Sequence, residues 1–534
     1  MDSFKLMNIK SFSKTSEVEL KKINIFVGRN SSGKSSLIRF PVVLSQTFQE
    51  DIVTPILLFG KLIDYGNFDD VIYNHEGDSF GFGFSFSVQE IVTMNTMRRS
   101  IMFFEGINNP IKAIRKNFKS VDIEVKVKTI NKKIIVDSFD LRIDKINVAT
   151  IDRDPKKNKY EIKIYYVLNH ENATLIKLET PESININIAF NKFIPDLNLY
   201  SDSIVEIYKR SLETIKREDQ QLHDIVHTLL SNRDIPSTVR LEKDYPNITI
   251  SKKLGNLINH MNELTSTLFF FNAVLYSLNH NLSSFSSQVT YIGPFRQDPE
   301  RIYRDSENSF DDVGKNGENT SLLLRQADQQ KNQLLKKVSQ WFEASMGYSI
   351  NIDEIENSNL FKVVVSSIEG KNKDNIIDVG YGIAQVLPIV TQVFLDYSAN
   401  DEFRRKAFRL SRKSVVIIEQ PELHLHPAAQ ANLANLFVEK VLSDSNSRML
   451  IETHSEHLIR RLQVLIADPD IDIGPDDVAF YYIDKNKEDN SSYVKKMELN
   501  SKGQFTQEWP SGFFDKGYEL SKELMIMSKK RRSQ

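Results

Sequence analysis

Apolar and polar positions fall into blocks that divide the chain by element type. Near the start, "FKLMNIKSF" and "VELKKINIFVG" set β-branched or aromatic residues beside polar ones and predict strand, turn, strand. The second run ends in apolar "INIFV", the pattern of a buried strand. "GKSSLIRFPVVLSQTFQ" then reads as helix, and Pro41 within it is expected to kink that helix or end it early. From about 80 to 198 the chain reads as strands. "VDIEVKVKTI" alternates with Val121, Ile123, Val125 and Val127 on one face, and "YEIKIYYV" and "SININIAF" repeat the pattern. This predicts antiparallel sheet with one wet face.

The period then changes. Ile204, Tyr208, Leu212, Ile215, Leu222, Ile225 and Leu229 recur at three or four residues and predict an amphipathic helix over 201–232. After a break at "KDYPNIT", Leu254, Leu257, Ile258, Met261, Leu264 and Leu268 mark a second helix. The pair reads as a helical arm or as a helical subdomain packed on the body. Past 291, "YIGPFRQDPERIY" leads into an acidic, glycine-bearing loop, a helix over 320–345 and strands over 348–367. There is no internal repeat, and the low-complexity piece is the basic tail "SKKRRSQ".

Length and charge narrow the picture. A chain of 534 residues exceeds one core, so two to three lobes are expected. A formal net charge of −2 gives no bulk electrostatic case for nucleic acid or an acidic membrane. With no cysteine, disulfides and thiolate metal sites are excluded. The N-terminus lacks the apolar core of a signal peptide, and "STLFFFNAVLYSL" is too short to cross a bilayer, so a soluble, cytoplasmic protein is expected.

"GRNSSGKSS", residues 28–36, carries the densest chemistry. Gly28-x-x-x-x-Gly33-Lys34-Ser35 fits the Walker A phosphate loop, after an apolar strand and before a helix. Glycines let main-chain N–H groups converge on a phosphate, and the helix adds its positive end. Lys34 is expected to reach the β- and γ-phosphates of ATP and Ser35 to hold Mg²⁺, with Asn30 and Ser36 completing the binding loop. The metal needs a carboxylate. "SVVIIEQPELHLHP" supplies Glu419 at the tip of an apolar strand. "SRMLIETHSEHLIRRL" supplies a second strand ending near His454, within expected reach of a γ-phosphate. "DVGYGIAQVLPIV" places Gly380 and Gly382 at a turn that opens an apolar helix.

This order of phosphate loop, long insertion, glycine turn, acid-tipped strand and strand-end histidine resembles the ATP-binding-cassette (ABC) ATPases. More narrowly it resembles the SMC/RecF/OLD-type branch of AAA-family predicted ATPases. "IEQPELHLHP" is similar to that branch's "hhhEEPExHLHP", and "VGYGIAQVLP" to its degenerate signature. "YIGPFRQDPERIY" and "GQFTQEWPSGFFD" are similar to subgroup segments. The resemblance covers about 1–75 and 290–515. It implies an α/β fold: an ABC-type P-loop ATPase head with a mixed central sheet, an antiparallel β lobe and a helical insertion. The corresponding division is 1–90 and 291–515 as a discontinuous head, 91–198 as a β-rich lobe, 199–290 as a helical arm and 516–534 as a basic tail.

The resemblance further implies a homodimer, or a higher multiple, with ATP and Mg²⁺ between subunits. Gly28, Gly33, Lys34 and Ser35 would bind in cis, Gly380 and Gly382 would act in trans, Glu419 would hold the metal and His454 would be the switch histidine. The family's metal-contacting glutamine has no clear counterpart; Gln46 fits poorly. The sequence also departs from the family. Where the branch carries a second glutamate as general base, this chain has Gln420, which can orient water but cannot take a proton. Glu422, two residues on, is the alternative catalytic acid.

Other readings stay open. His424, His426, His454 and His457 with Glu422 and Glu452 could form a metal-hydrolase site. Arg296 could contact a nucleotide or lock its loop to an acid. "KAIRKNFK" and "SKKRR" could touch nucleic acid, or be solvated faces. Too little chain follows His454 for a Toprim nuclease, so a nuclease would be a separate partner. Stand-alone ATPases of this branch resemble regulatory subunits of bacterial antiphage systems such as Septu, where the partner is of HNH type. The expected function is therefore a regulatory ATPase of a defence complex. The alternative is a DNA-repair or chromosome-handling ATPase that clamps DNA. A membrane transporter's ATPase is disfavoured by the long insertion and the missing "LSGGQ".

Overall fold

The computed structural model describes the chain except residues 94–109, 157–158, 170–171, 185–187, 198, 200–204, 206, 233–237, 368–372, 396–413, 510–519, 521, 525 and 527–534. The basic tail and part of "GQFTQEWPSGFFD" lie outside the described residues. The chain forms two compact units, residues 1–18 with 43–287 and residues 19–42 with 288–534. Residues 1–18 and 43–90 thus fall in the same unit as the insertion that follows them.

The first unit is built on antiparallel sheet. Its hydrogen-bonded path runs Leu175–Ile184, Lys159–Leu168, Ile146–Asp154, Lys133–Ile143, Ser120–Ile130, Ser79–Ser87, Ser3–Ile9 and Phe12–Lys14. The alternation in "VDIEVKVKTI" sets the buried face: Val121, Ile123, Val125 and Val127 are buried while Lys126 is exposed. Helices Lys209–Glu218 and Gln220–Ser231 replace the single one expected over 201–232. The break is chemical. The Asp219 side chain accepts from the Leu222 N–H and caps a new helix start.

Helix Lys252–Ser286 is no free arm. Leu254, Ile258, Met261, Leu264, Leu268, Phe271, Leu275, Leu278 and Leu282 are buried along its length. Three hydroxyl bonds tie it to the rest of its unit: Ser277 to the Ile91 carbonyl at 2.6 Å, the Leu168 N–H to Thr267 at 2.8 Å, and Ser45 to the Ser286 carbonyl at 2.8 Å. No described helix is long and apolar enough to cross a membrane.

The second unit holds a six-stranded sheet in the order Val289–Ile292, Val415–Glu419, Arg448–Glu452, Ile23–Gly28, Val478–Lys485, Ser492–Met497. The first five strands are parallel and the last is antiparallel. Parallel strands are covered on both faces, which explains the unbroken apolar runs "INIF" and "VVII". A small antiparallel sheet, Tyr303–Arg304, Leu360–Ser367, Tyr348–Glu354 and Lys373–Asn375, belongs to the same unit. The helix expected over 320–345 is two, Thr320–Gln329 and Gln333–Met346.

Helix Lys34–Gln49 continues past Pro41, so the proline does not end it. The ring removes one main-chain bond. Phe40, Val42, Val43 and Leu44, all at most 1% exposed, supply apolar burial that offsets the loss.

Candidate active site

Ile292, Glu419, Glu452 and Gly28 are the last residues of four neighbouring parallel strands. Loops leave such an edge and helix N-termini arrive at it, so polar groups can gather there without breaking the ladder. The phosphate-loop sequence starts from this edge. At Gly28 a Cβ would lie 1.9 Å from the Ile483 carbonyl oxygen, so only glycine fits. Ser31 at φ 59° and Gly33 at φ 96° turn the chain back into helix Lys34–Gln49.

Lys34 is 4% exposed, and its ammonium donates to the carbonyls of Gly28 at 3.2 Å and Arg29 at 2.7 Å. Burial pulls its pKa down, with Glu452 and Glu422 opposing. Asn30 is exposed; Ser35 and Ser36 are half-buried. The buried Ser32 hydroxyl has no partner among the described residues.

Glu419 is 2% exposed and fully engaged. Arg39 donates through Nε to Oε1 at 2.6 Å and through its Nη2 to Oε2 at 2.8 Å, and the Tyr291 hydroxyl donates to Oε1 at 2.7 Å. Burial disfavours the Arg39 charge, but Glu419 outweighs it and holds the guanidinium pKa above its ordinary value. Arg39 lies one helical turn after Ser35, hence on the same helix face.

Glu452 is the in-register partner of Glu419 on the adjacent strand. In-register residues project to the same face, so the two carboxylates stand side by side. Glu452 is 3% exposed, takes a hydrogen bond from the Ser35 side chain, and leaves Oε2 without a partner among the described residues. Burial, and then the Glu419 charge, push its pKa up to about 7.

The turn after Glu419 is shaped from below. Gln420 sits at φ 46° with its N–H on the Glu452 carbonyl at 2.8 Å. Arg296, 5% exposed, donates to the carbonyls of Glu419 at 2.7 Å and Gln420 at 3.2 Å. It therefore holds main chain rather than the carboxylate of an acid, and burial brings its pKa down to about 10. Glu422 accepts from the His454 N–H at 2.6 Å, and burial raises its pKa. His454 is half-buried, and burial and then the Lys34 charge push its pKa down to about 4, so its ring is neutral near pH 7.

The metal-hydrolase cluster does not form. His424 and His426 lie in a turn, not along a strand. His426 instead caps helix Pro427–Ser443, accepting from the Ala428 N–H. Among the described residues, no group of three or more His, Asp or Glu is placed to hold a metal by itself. Gln46 is buried and used within the first unit, donating to the Leu57 carbonyl and accepting from the Ile63 N–H.

Gly380 starts helix Tyr381–Phe394, is exposed, and has open space where a Cβ would be. Gly382 is required for a close approach: a Cβ there would lie 2.6 Å from the His424 carbonyl oxygen. The turn before this helix is tied to the "GPFRQDPER" loop by Arg301, bidentate on Asp378 at 2.7 and 2.8 Å, and by the Tyr381 hydroxyl on Asp298 at 2.5 Å.

The structure thus gathers Lys34, Ser35, Glu419, Glu422 and His454, and adds Arg39, Tyr291 and Glu452 as residues with no site role in the sequence reading beyond the metal-hydrolase alternative. Arg39 had a signal, its i+4 spacing from Ser35. Glu452 had none, because its proximity to Glu419 depends on which strands pair. A magnesium–nucleotide fits the donor set. The loop presents Gly28 and Gly33, a lysine and a hydroxyl, and a buried carboxylate oxygen nearby has no partner among the described residues.

A family model described as "AAA ATPase domain" matches residues 1–459, and one described as "Protein of unknown function (DUF3696)" matches 473–524. No curated protein gives a significant match. Among solved structures, the chain is similar to an Smc head domain with an extended coiled coil from Pyrococcus furiosus, bound to the C-terminal domain of ScpA. That likeness is 11% identical over 99% of both chains, with a TM-score of 0.35. The SMC head domain from Thermotoga maritima is 8% identical over 93% of this chain and 99% of that one, with a TM-score of 0.32.

Proposed function

The chain belongs to the AAA ATPase domain family, and from that premise we propose that it is a P-loop ATPase of the SMC/RecF type, a nucleotide-operated switch that binds ATP with Mg²⁺ and hydrolyses it slowly. The observation that supports this reading is the meeting of Lys34, Ser35, Glu419 and His454 at one edge of a parallel sheet. Loop N–H groups from Gly28 to Ser36 would cradle the phosphates. Lys34 would exchange its two carbonyl partners for phosphate oxygens. The neutral His454 would donate to the terminal phosphate. Ser35 and one of the two strand-tip carboxylates, Glu419 or Glu452, would hold Mg²⁺, which when bound would neutralise charge on the transferring phosphoryl group.

Gln420 would orient the attacking water. Glu422 is a poor base in its observed state, since burial favours its neutral form and one oxygen is committed to His454. Slow turnover follows. The exposed Gly380 turn is open to a second copy, which fits a homodimer closed by nucleotide. We place the protein in the cytoplasm, as the regulatory subunit of an antiphage complex that restrains a separate nuclease of HNH type. That assignment rests on the resemblance of its motifs to such subunits.

The test is phosphate release with ATP and Mg²⁺, with and without DNA, for the native chain, Lys34→Ala and Gln420→Glu. The reading expects slow native release, none from Lys34→Ala and a faster rate from Gln420→Glu. Strong stimulation by DNA would favour the clamp over the nuclease regulator. Absence of nucleotide binding by the native chain would overturn the reading.

A further inference from the structure

The acid assigned to the metal by position, Glu419, is the one whose oxygens are already taken. Arg39 and Tyr291 together make three hydrogen bonds to it. A guanidinium held bidentate on a buried carboxylate is a strong, geometrically specific partner, and separating the two leaves a buried charge uncompensated. A cation arriving at Glu419 would have to displace it.

Glu452 is in the opposite condition. It is 3% exposed, so no solvent satisfies it. One oxygen meets the hydroxyl of Ser35, and the other has no partner among the described residues. A buried acceptor left unmade costs about 1–3 kcal/mol, and such an atom calls for a reason. Its strand position places it beside Glu419 and between that residue and the strand that delivers Gly28. Lys34 is close enough to raise electrostatic interaction with it.

We propose that Glu452, through its free oxygen and alongside the Ser35 hydroxyl, is the carboxylate that holds the divalent cation of the bound nucleotide, while Glu419 stays paired with Arg39 and Tyr291 as the scaffold of the site. The inference rests on the nucleotide reading above and names the metal ligand within it. Mg²⁺ takes oxygen donors and keeps several waters, so one hydroxyl and one carboxylate suffice beside phosphate oxygens. Arg39 then acts as a positioning residue: it keeps Glu419 folded away from the cation and leaves Glu452 as the available acid.

The experiment is binding of a fluorescent, non-hydrolysable ATP analogue to the full chain, in EDTA and in Mg²⁺, with Mn²⁺ electron paramagnetic resonance of the loaded chain as a second readout. Glu452→Gln is expected to leave affinity in EDTA within twofold of native and to lose the metal-dependent gain by tenfold or more, with weakened Mn²⁺ binding. Glu452→Asp should restore part of that gain. Glu419→Gln should keep most of it. Glu452→Thr, a β-branched residue suited to a strand, serves if the glutamine variant fails to fold.

Loss of the metal-dependent gain in Glu419→Gln but not in Glu452→Gln would overturn the assignment. So would a Glu452→Gln chain that keeps the full gain yet no longer hydrolyses ATP, which would make Glu452 a base rather than a ligand. A native chain that binds no analogue in either buffer would instead overturn the nucleotide reading itself, and this inference with it.

Discussion

The two compact units handle charge in opposite ways. On the antiparallel sheet Lys5, Glu124, Arg142 and Asp140 form a cross-strand ladder, each between 23% and 27% exposed, with every carboxylate against a cation. At the edge of the parallel sheet Lys34, Arg296, Glu419, Glu422 and Glu452 are between 2% and 8% exposed. There, Glu422 and Glu452 each keep an oxygen without a described partner, and so does the Arg296 Nε. Water screens the first arrangement and completes its hydrogen bonds. Burial denies the second that screening, and the fold keeps polar groups there whose hydrogen bonds the described residues leave incomplete. The number of charges therefore does not distinguish a site from a surface; their burial and incomplete pairing do.

The largest effect that sharpens this contrast is expected from Lys34→Ala. It removes the cation proposed to meet the phosphates, and steady-state phosphate release should fall by at least about 100-fold. Because burial already disfavours the ammonium, the melting temperature should hold or rise. A large loss of stability would mean that Lys34 is structural. Gly28→Ala comes next and reports on the fold. Its Cβ would lie 1.9 Å from the Ile483 carbonyl oxygen, so strand Ile23–Gly28 or Val478–Lys485 must shift. Chemical denaturation should show a loss of about 3–5 kcal/mol.

Much of this was legible in the sequence. The "INIFV" and "SVVIIE" runs predict the buried strands, and the Gly28–Ser35 spacing predicts the loop, because both depend on local rules. What escaped depends on pairing. Strand Arg448–Glu452 lies between the strand ending at Glu419, which precedes it in the chain, and the strand ending at Gly28, which is far from it in sequence, and that insertion brings Glu452 to the same edge as both. Apolar and polar residues alternate in "LHLHP", yet His424 at φ 63° and the His426 cap make it a turn into helix Pro427–Ser443. Of the two effects expected of Pro41, ending the helix does not occur, and the residues on both sides of it are buried.

Two titrations at the strand tips oppose each other, and they bear on the comparison at the next scale down. Glu452 rises from 4.5 to about 7 in the folded chain. Its contribution to stability is therefore full below about pH 4.5 and lost as pH rises through 7. His454 falls from 6.5 to about 4, so its contribution is full above about pH 6.5 and lost as pH falls through 4. The Glu452 shift corresponds to about 3 kcal/mol, and that of the half-buried His454 to less because solvent screens it, so between pH 4.5 and 6.5 the two slopes oppose and partly cancel. Urea unfolding across that window should show Glu452→Gln gaining on the native chain as pH rises. His454→Gln should gain on it as pH falls. Parallel curves for all three chains would mean that neither group is buried as described.

The smallest expected effect is the one that could dissolve the contrast. Glu124 accepts from Lys5 and from Arg142 at 2.5 Å each, and although burial alone would raise its pKa, those two cations bring it below the ordinary carboxylate value. By contact geometry this ladder is better paired than anything at the strand tips. Yet its members keep about a quarter of their surface in water, so each charge is largely solvated whether or not its partner is present. Glu124→Gln should therefore cost no more than about 1 kcal/mol, and that cost should shrink in 0.5 M salt, while nucleotide affinity stays unchanged. Loss of several kcal/mol that persists in salt would show that the sheet face is as dependent on its charges as the strand tips are. Burial, rather than pairing, would then no longer separate the two regions.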